Sequence, residues 1–119
     1  MATRQISKME IDFSGDFDGI PDFNRKALEK FMESFIQKYG DESEIFEISV
    51  YVKKFDSSYF GKPLVFCNFA ANTSYGLVST NMVDWGLKKA VRGCLKSLVF
   101  EINRLAEREL YGEYAEIPA

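Results

Sequence analysis

Apolar and polar positions along the chain divide it into six predicted elements. Ile6-Ser-Lys-Met-Glu-Ile-Asp-Phe13 partly alternates and reads as a first strand. Ser14 to Pro21, with its glycines and acids, reads as a loop, and Pro21 and Asp22 open a helix. Over residues 22–39, Phe23, Ala27, Leu28, Phe31, Met32, Phe35, Ile36 and Tyr39 recur at helical spacing, and Gly40 supplies a stop. Residues 45–55 alternate, with Phe46, Ile48, Val50 and Val52 on one side and Glu47, Ser49, Tyr51 and Lys53 on the other. Asp56 to Pro63 reads as a turn, Leu64 to Ala71 as a nearly all-apolar strand, Asn72 to Ser74 as a second turn and Tyr75 to Ser79 as a short strand. Thr80 or Asn81 can cap a last helix reaching about Leu110, followed by a flexible tail over 111–119.

The resulting order is β-α-β-β-β-α. It predicts an α+β fold: a four-stranded, mainly antiparallel sheet with two helices packed on one face. A chain of 119 residues suits one domain, with its core over about 6–110. The 46% apolar content supports such a core, and the 11 phenylalanines suggest that aromatic rings fill it. Cys67 and Cys94 are far apart in apolar segments and read as two buried, reduced thiols of a cytoplasmic protein. No apolar run suits a membrane span, and the first residues lack a signal-peptide pattern.

The chain has no histidine, hence neither the commonest general base nor the commonest metal ligand. Phosphate-loop, dinucleotide and nucleophile-elbow motifs are missing as well, so neither catalysis nor a cofactor or metal is expected. Asp16 and Asp18 lie in a Gly-containing loop, where turn chemistry explains them.

The last helix holds the functional signal. At about 100° per residue, Leu87, Ala90, Val91, Cys94, Leu95, Leu98, Ile102 and Leu105 share one arc, with Val99 at its edge. Lys88, Lys89, Arg92 and Lys96 share another, with Trp85 placed among them. From Gly86 to Phe100 there are four bases and no acid, in a chain of net charge −3. Like charges every four residues repel by a few tenths of a kcal/mol per pair. A phosphate backbone would relieve that repulsion and release counterions. Gly93 and Ser97 flank the ridge with little bulk, which would allow close approach. A second candidate is the turn from Lys53 to Lys62, where Lys53 and Lys54 interleave with Tyr59 and Phe60. Rings beside bases suit stacking and phosphate contact, so Trp85, Tyr59 and Phe60 are candidate stacking residues. Both features also fit ordinary solvated surfaces.

Three segments carry a family resemblance. Met9-Glu-Ile-Asp-Phe-Ser-Gly15, Phe46-Glu-Ile-Ser-Val-Tyr-Val-Lys-Lys54 and Ala90-Val-Arg-Gly-Cys-Leu-Lys-Ser-Leu-Val-Phe-Glu-Ile-Asn-Arg104 resemble the first strand, second strand and last helix of the ribosome hibernation-promoting factor and ribosome-associated inhibitor A (protein Y) family. The chain departs from that pattern in an extra turn expected around Met82 to Leu87. The resemblance implies a short-form, monomeric translation inhibitor that binds the small ribosomal subunit through 16S ribosomal RNA and occludes the mRNA and tRNA channel. By position it assigns RNA-phosphate contact to Lys88, Lys89, Arg92, Lys96, Lys53 and Lys54, and further to Arg25, Lys26 and Lys30. A different class, a small acidic protein-binding module such as a secretion chaperone, also fits the size and charge.

Overall fold

The computed structural model describes residues 9–20, 23–41 and 44–115. Strand β1 (Glu10–Gly15) leads through a short 3-10 turn (Phe17–Gly19) to helix α1 (Arg25–Tyr39). Strands β2 (Ile45–Tyr59), β3 (Lys62–Thr73) and β4 (Gly76–Trp85) follow, and helix α2 (Leu87–Ala115) closes the fold. The β-α-β-β-β-α order is the expected one. The sheet runs β1-β2-β3-β4, with β1 parallel to β2 and the other neighbours antiparallel.

Register explains why one sheet face is covered and the other open. Ile11, Ile48, Ala71 and Val78 lie side by side across the four strands, as do Phe13, Val50, Phe69 and Thr80. These rows face the helices and, together with Val52, Val65 and Cys67, hold the buried strand residues. The alternate row, Asp12, Ser49, Ala70 and Ser79, faces away. Two-residue periodicity puts every second residue on each side, so a single shift in register would invert the core.

The apolar arc of α2 meets the covered face as expected. Ala90, Val91, Cys94, Leu95, Leu98, Val99 and Ile102 are buried, with Leu87 and Leu105 packed at the margins. The Thr80 hydroxyl of β4 donates to the Cys94 carbonyl at 3.1 Å and fastens α2 over its strand. Cys67 and Cys94 are free and buried. Hydrogen bonding with Cys94, and then burial, hold the Cys67 thiol well above its ordinary range. The core is more aliphatic than the phenylalanine count suggests. Of the Phe rings only Phe17 and Phe69 are buried, and Phe13, Phe23, Phe31 and Phe35 pack at its rim.

Element boundaries differ from expectation for identifiable reasons. Residues 6–8 of the expected first strand, and Pro21 and Asp22, lie outside the described residues. Helix α1 begins at Arg25 because the Asn24 side chain caps it, accepting from the Ala27 N–H at 3.0 Å. Gly40 ends it, donating to the Ile36 carbonyl at 2.8 Å. Phe46 points outward and is 57% exposed. A bulge between Ile45 and Glu47 turns Ile45 inward in its place.

The segment Asp56 to Pro63 is largely strand, with a register shift between Lys54 and Ser58. Its turn is only Phe60 and Gly61. Asn72 and Thr73 likewise belong to β3, and Tyr75 belongs to the turn. Residues 80–85 extend β4 instead of starting the helix, because pairing with Leu64 to Phe69 outcompetes a helix cap at Thr80 or Asn81. The extra turn expected before α2 is therefore strand, and Trp85 is no part of the helical arc. Helix α2 continues to Ala115, past the expected end near Leu110, and residues 116–119 lie outside the described residues.

Gly15 is the tightest point of the sheet. Its φ is +104°, and a Cβ there would collide with the Val52 carbonyl oxygen and lie 2.9 Å from the Val52 nitrogen. Both atoms are backbone and cannot yield cheaply. Gly15→Ala is therefore expected to cost at least about 2 kcal/mol, read as a lower urea midpoint with an unchanged slope.

Candidate nucleic-acid interface

Parallel pairing of β1 with β2 makes α1 run opposite to both strands. Helix α2, following β4, runs in the same direction. The helices meet where α1 ends. The Asn103 side-chain amide donates to the Tyr39 carbonyl at 3.0 Å, and a Cβ at Gly40 would lie 3.3 Å from Val99 Cγ1. Toward their N-termini they part and leave a groove of about 590 Å3. Phe23, Ala27, Leu28 and Phe31 line it from the α1 side, and Leu87, Lys88, Lys89, Val91 and Arg92 from α2. Gly61, Lys62 and Pro63 of the β2–β3 hairpin close its end.

The lining of this groove is one-sided in charge. Both helix N-termini open here, and neither first turn contains an acid. Their partial positive charge adds to Lys62, Lys88, Lys89 and Arg92. No acidic residue lines the groove among the described residues. Acids lie outside the lining: Asp16, Asp18 and Asp84 near the same end, Glu10, Asp12 and Glu47 on the open sheet face, and Glu101, Glu107 and Glu109 farther along α2, where Glu101 is ion-paired with Arg104.

The predicted bases separate into four places. Lys88, Lys89 and Arg92 line the groove, and the exposed Lys96 extends the ridge one turn beyond Arg92. Lys53 projects from the open sheet face, its ammonium 5.5 Å from the centre of the Phe55 ring. Lys54 sits beside the loop after β1, where its N–H donates to Asp16 Oδ2 at 3.1 Å. Arg25 is engaged with Glu29 at 3.1 Å and lies 5.2 Å over the Phe13 ring. Lys26 and Lys30 are exposed on α1 but are not among the groove-lining residues.

Lys62 is a groove residue that closes the candidate turn in the sequence without being assigned a phosphate contact there. The signal lies in its position as the first residue after a tight turn, which the fold brings against Gly86. Gly93 does not open the ridge to a partner backbone. The Met82 side chain lies over it, and a Cβ at Gly93 would come within 2.7 Å of Met82 Cε.

The three candidate aromatic residues come together. The Tyr59 ring lies 5.5 Å from Trp85 and 4.4 Å from Phe60, between centroids. Trp85 is half-buried and Tyr59 exposed, while Phe60 is 87% exposed at the hairpin tip. The tip is fixed to the start of α2 by the Gly86 N–H, which donates to the Pro63 carbonyl at 2.7 Å. Among the described residues, no cluster of three or more His, Cys, Asp or Glu side chains could hold a metal ion, and no helix is long and apolar enough to cross a membrane.

Fold and site together define an α+β domain in which, among the described residues, four bases and no acid line the mouth between two helices. The chain belongs to the Hib family of hibernation factors: the family model described as hibernation factor Hib, C-terminal domain, matches residues 12–116. Among solved structures, a ribosomal subunit interface protein from Coxiella burnetii shares the fold with a TM-score of 0.60. That match covers 83% of this chain and 99% of the other at 15% identity. Comparison with curated proteins gives no match.

Trp85 is the single tryptophan and reports on the tip. Tyr59→Ala removes the ring beside it. The substitution is expected to shift Trp85 emission to longer wavelength and raise its quenching by acrylamide, with the melting temperature little changed.

Proposed function

We propose that this protein is a ribosome-binding hibernation factor that silences translation by steric occlusion. The observation that carries the reading is the groove, lined by four bases and no acid, between the diverging N-terminal ends of α1 and α2. A −3 chain has no bulk attraction for RNA, so concentrating bases at one mouth is what makes phosphate contact feasible. Membership of the hibernation-factor family supports the ribosome as partner, as does the shared fold with a protein described as lying at the ribosomal subunit interface.

In finer detail, the partner is the small subunit. Lys62, Lys88, Lys89 and Arg92 contact 16S ribosomal RNA phosphates, with Lys96 extending the contact along α2. The body of the domain then fills the channel used by mRNA and tRNA. Binding of this kind uses positioned charges and shape and requires no bond-making residue. Lys53, Lys54, Arg25, Lys26 and Lys30 stand apart from the groove and contribute secondary contacts at most. The protein acts in the cytoplasm as a monomer.

Cosedimentation with purified ribosomes across a range of salt tests this. The wild type is expected to migrate with the small subunit and to dissociate as salt rises. Replacing Lys88, Arg92 and Lys96 together by Glu should leave the melting temperature nearly unchanged, because all three are exposed. It should abolish cosedimentation at moderate salt and lower the slope of log affinity against log salt by about one per lost phosphate contact. Lys26→Glu with Lys30→Glu should weaken binding only a few-fold. A wild-type protein that stays at the top of the gradient at every salt would overturn the reading and direct the search to a protein partner.

A further inference from the structure

The β2–β3 hairpin ends in a residue that its backbone does not favour. Tyr59 pairs with Lys62, leaving Phe60 and Gly61 as a two-residue turn. Their φ values are +50° and +76°. Two consecutive positive φ angles define the turn type in which Asn-Gly is the preferred pair. Phe60 is the one non-glycine residue with positive φ among those described. A ring at this position strains the backbone, and its 87% exposure means that the free protein gains little burial in return.

The surroundings give the ring a use. Phe60 stands edge-on to Tyr59, and Tyr59 leans on Trp85 at a 40° interplanar angle. The three rings form a continuous aromatic step from solvent to the end of β4. Directly behind the step lie Lys62, Lys88, Lys89 and Arg92 at the groove mouth. Aromatic faces alternating with bases at a short, pinned loop match what unpaired nucleotides need, a π-surface for the base and a cation for its phosphate. Basic charge beside the step favours a polyanion over an apolar peptide.

We propose that the Phe60 tip is a base-stacking element: it receives unpaired nucleobases of the bound RNA, while the adjoining groove holds their phosphates. This deepens the ribosome-binding reading and rests on it. The tip accounts for what phosphate contact alone leaves open, a preference for single-stranded or unstacked RNA over regular duplex. Trp85 and Tyr59 serve as the platform that keeps Phe60 aimed outward, and the Gly86–Pro63 hydrogen bond keeps that platform in register with the groove.

Phe60→Asn tests the idea because its two effects have opposite signs. Asn suits the turn better, so the free variant is expected to melt a few degrees higher than the wild type. Loss of one stacking ring is expected to weaken ribosome binding roughly 5- to 100-fold. Phe60→Tyr, which keeps a stacking face, should restore most of it. A short unstructured RNA oligonucleotide should quench Trp85 fluorescence, and Phe60→Asn should lower the affinity read from that quenching. If the wild type binds ribosomes and Phe60→Asn binds within twofold of it, the stacking proposal falls and the ribosome reading stands. If the wild type does not bind ribosomes, both fall. If Phe60→Asn weakens ribosome binding but leaves oligonucleotide affinity unchanged, the tip docks on a ribosomal protein and base stacking is overturned.

Discussion

The parallel pairing of β1 with β2 is the constraint on which the rest depends. Antiparallel neighbours can be joined by a tight turn, but parallel ones require the chain to travel back along the sheet. Helix α1 makes that return, and a right-handed crossover commits it to one face. Once α1 lies there, the apolar row from Ile11 to Val78 is only half covered, and the stripe on α2 must complete it. The opposite face stays open, a mix of polar residues with Tyr51, Phe66, Leu77 and Val83, because both helices are already committed. Gly15 is where this arrangement is tightest, since the end of β1 approaches Val52 too closely for any side chain.

The groove follows from the same geometry. Two helices that run in the same direction over one sheet bring their N-termini to one end. They are bound together at the other end, through Tyr39, Gly40, Val99 and Asn103. Divergence from that junction leaves a wedge of space, and the β2–β3 hairpin reaches far enough to close it. Two helix N-termini, basic side chains and the hairpin tip therefore gather at one end without any single element being built for the purpose.

Much of this was legible in the chain itself. The arc from Ala90 to Ile102, the alternation of Ile48, Val50 and Val52, and the Gly40 stop have clear periodicity, and they yield the element order. The ridge of Lys88, Arg92 and Lys96 was visible because helical spacing is a local property. Sites that depend on pairing were not. Thr80 and Asn81 have good capping chemistry, but β3 offers residues 80–85 a full ladder, and tertiary pairing wins. Phe46 looked inward because alternation assumes an unbroken register, and the bulge beside Ile45 breaks it. Lys62 bounds the candidate turn in the sequence, but only the fold brings it against Gly86 and into the groove. Arg25, Lys26 and Lys30 lie near the mouth by position along the chain, but helical phase leaves them out of its lining. The three rings of the tip are separated by up to 26 positions, and a hairpin and an edge strand bring them together.

The separation of charge has a kinetic meaning. With a mouth lined by four bases and no acid, on a chain of net charge −3, the molecule presents charge unevenly to a partner. In the field of a large polyanion it experiences a torque before it experiences contact. Most orientations of approach are repelled, and the one that presents the mouth is drawn in. On the proposed reading, residence is long where a cavity admits the mouth and leaves the rest of the surface facing water or protein.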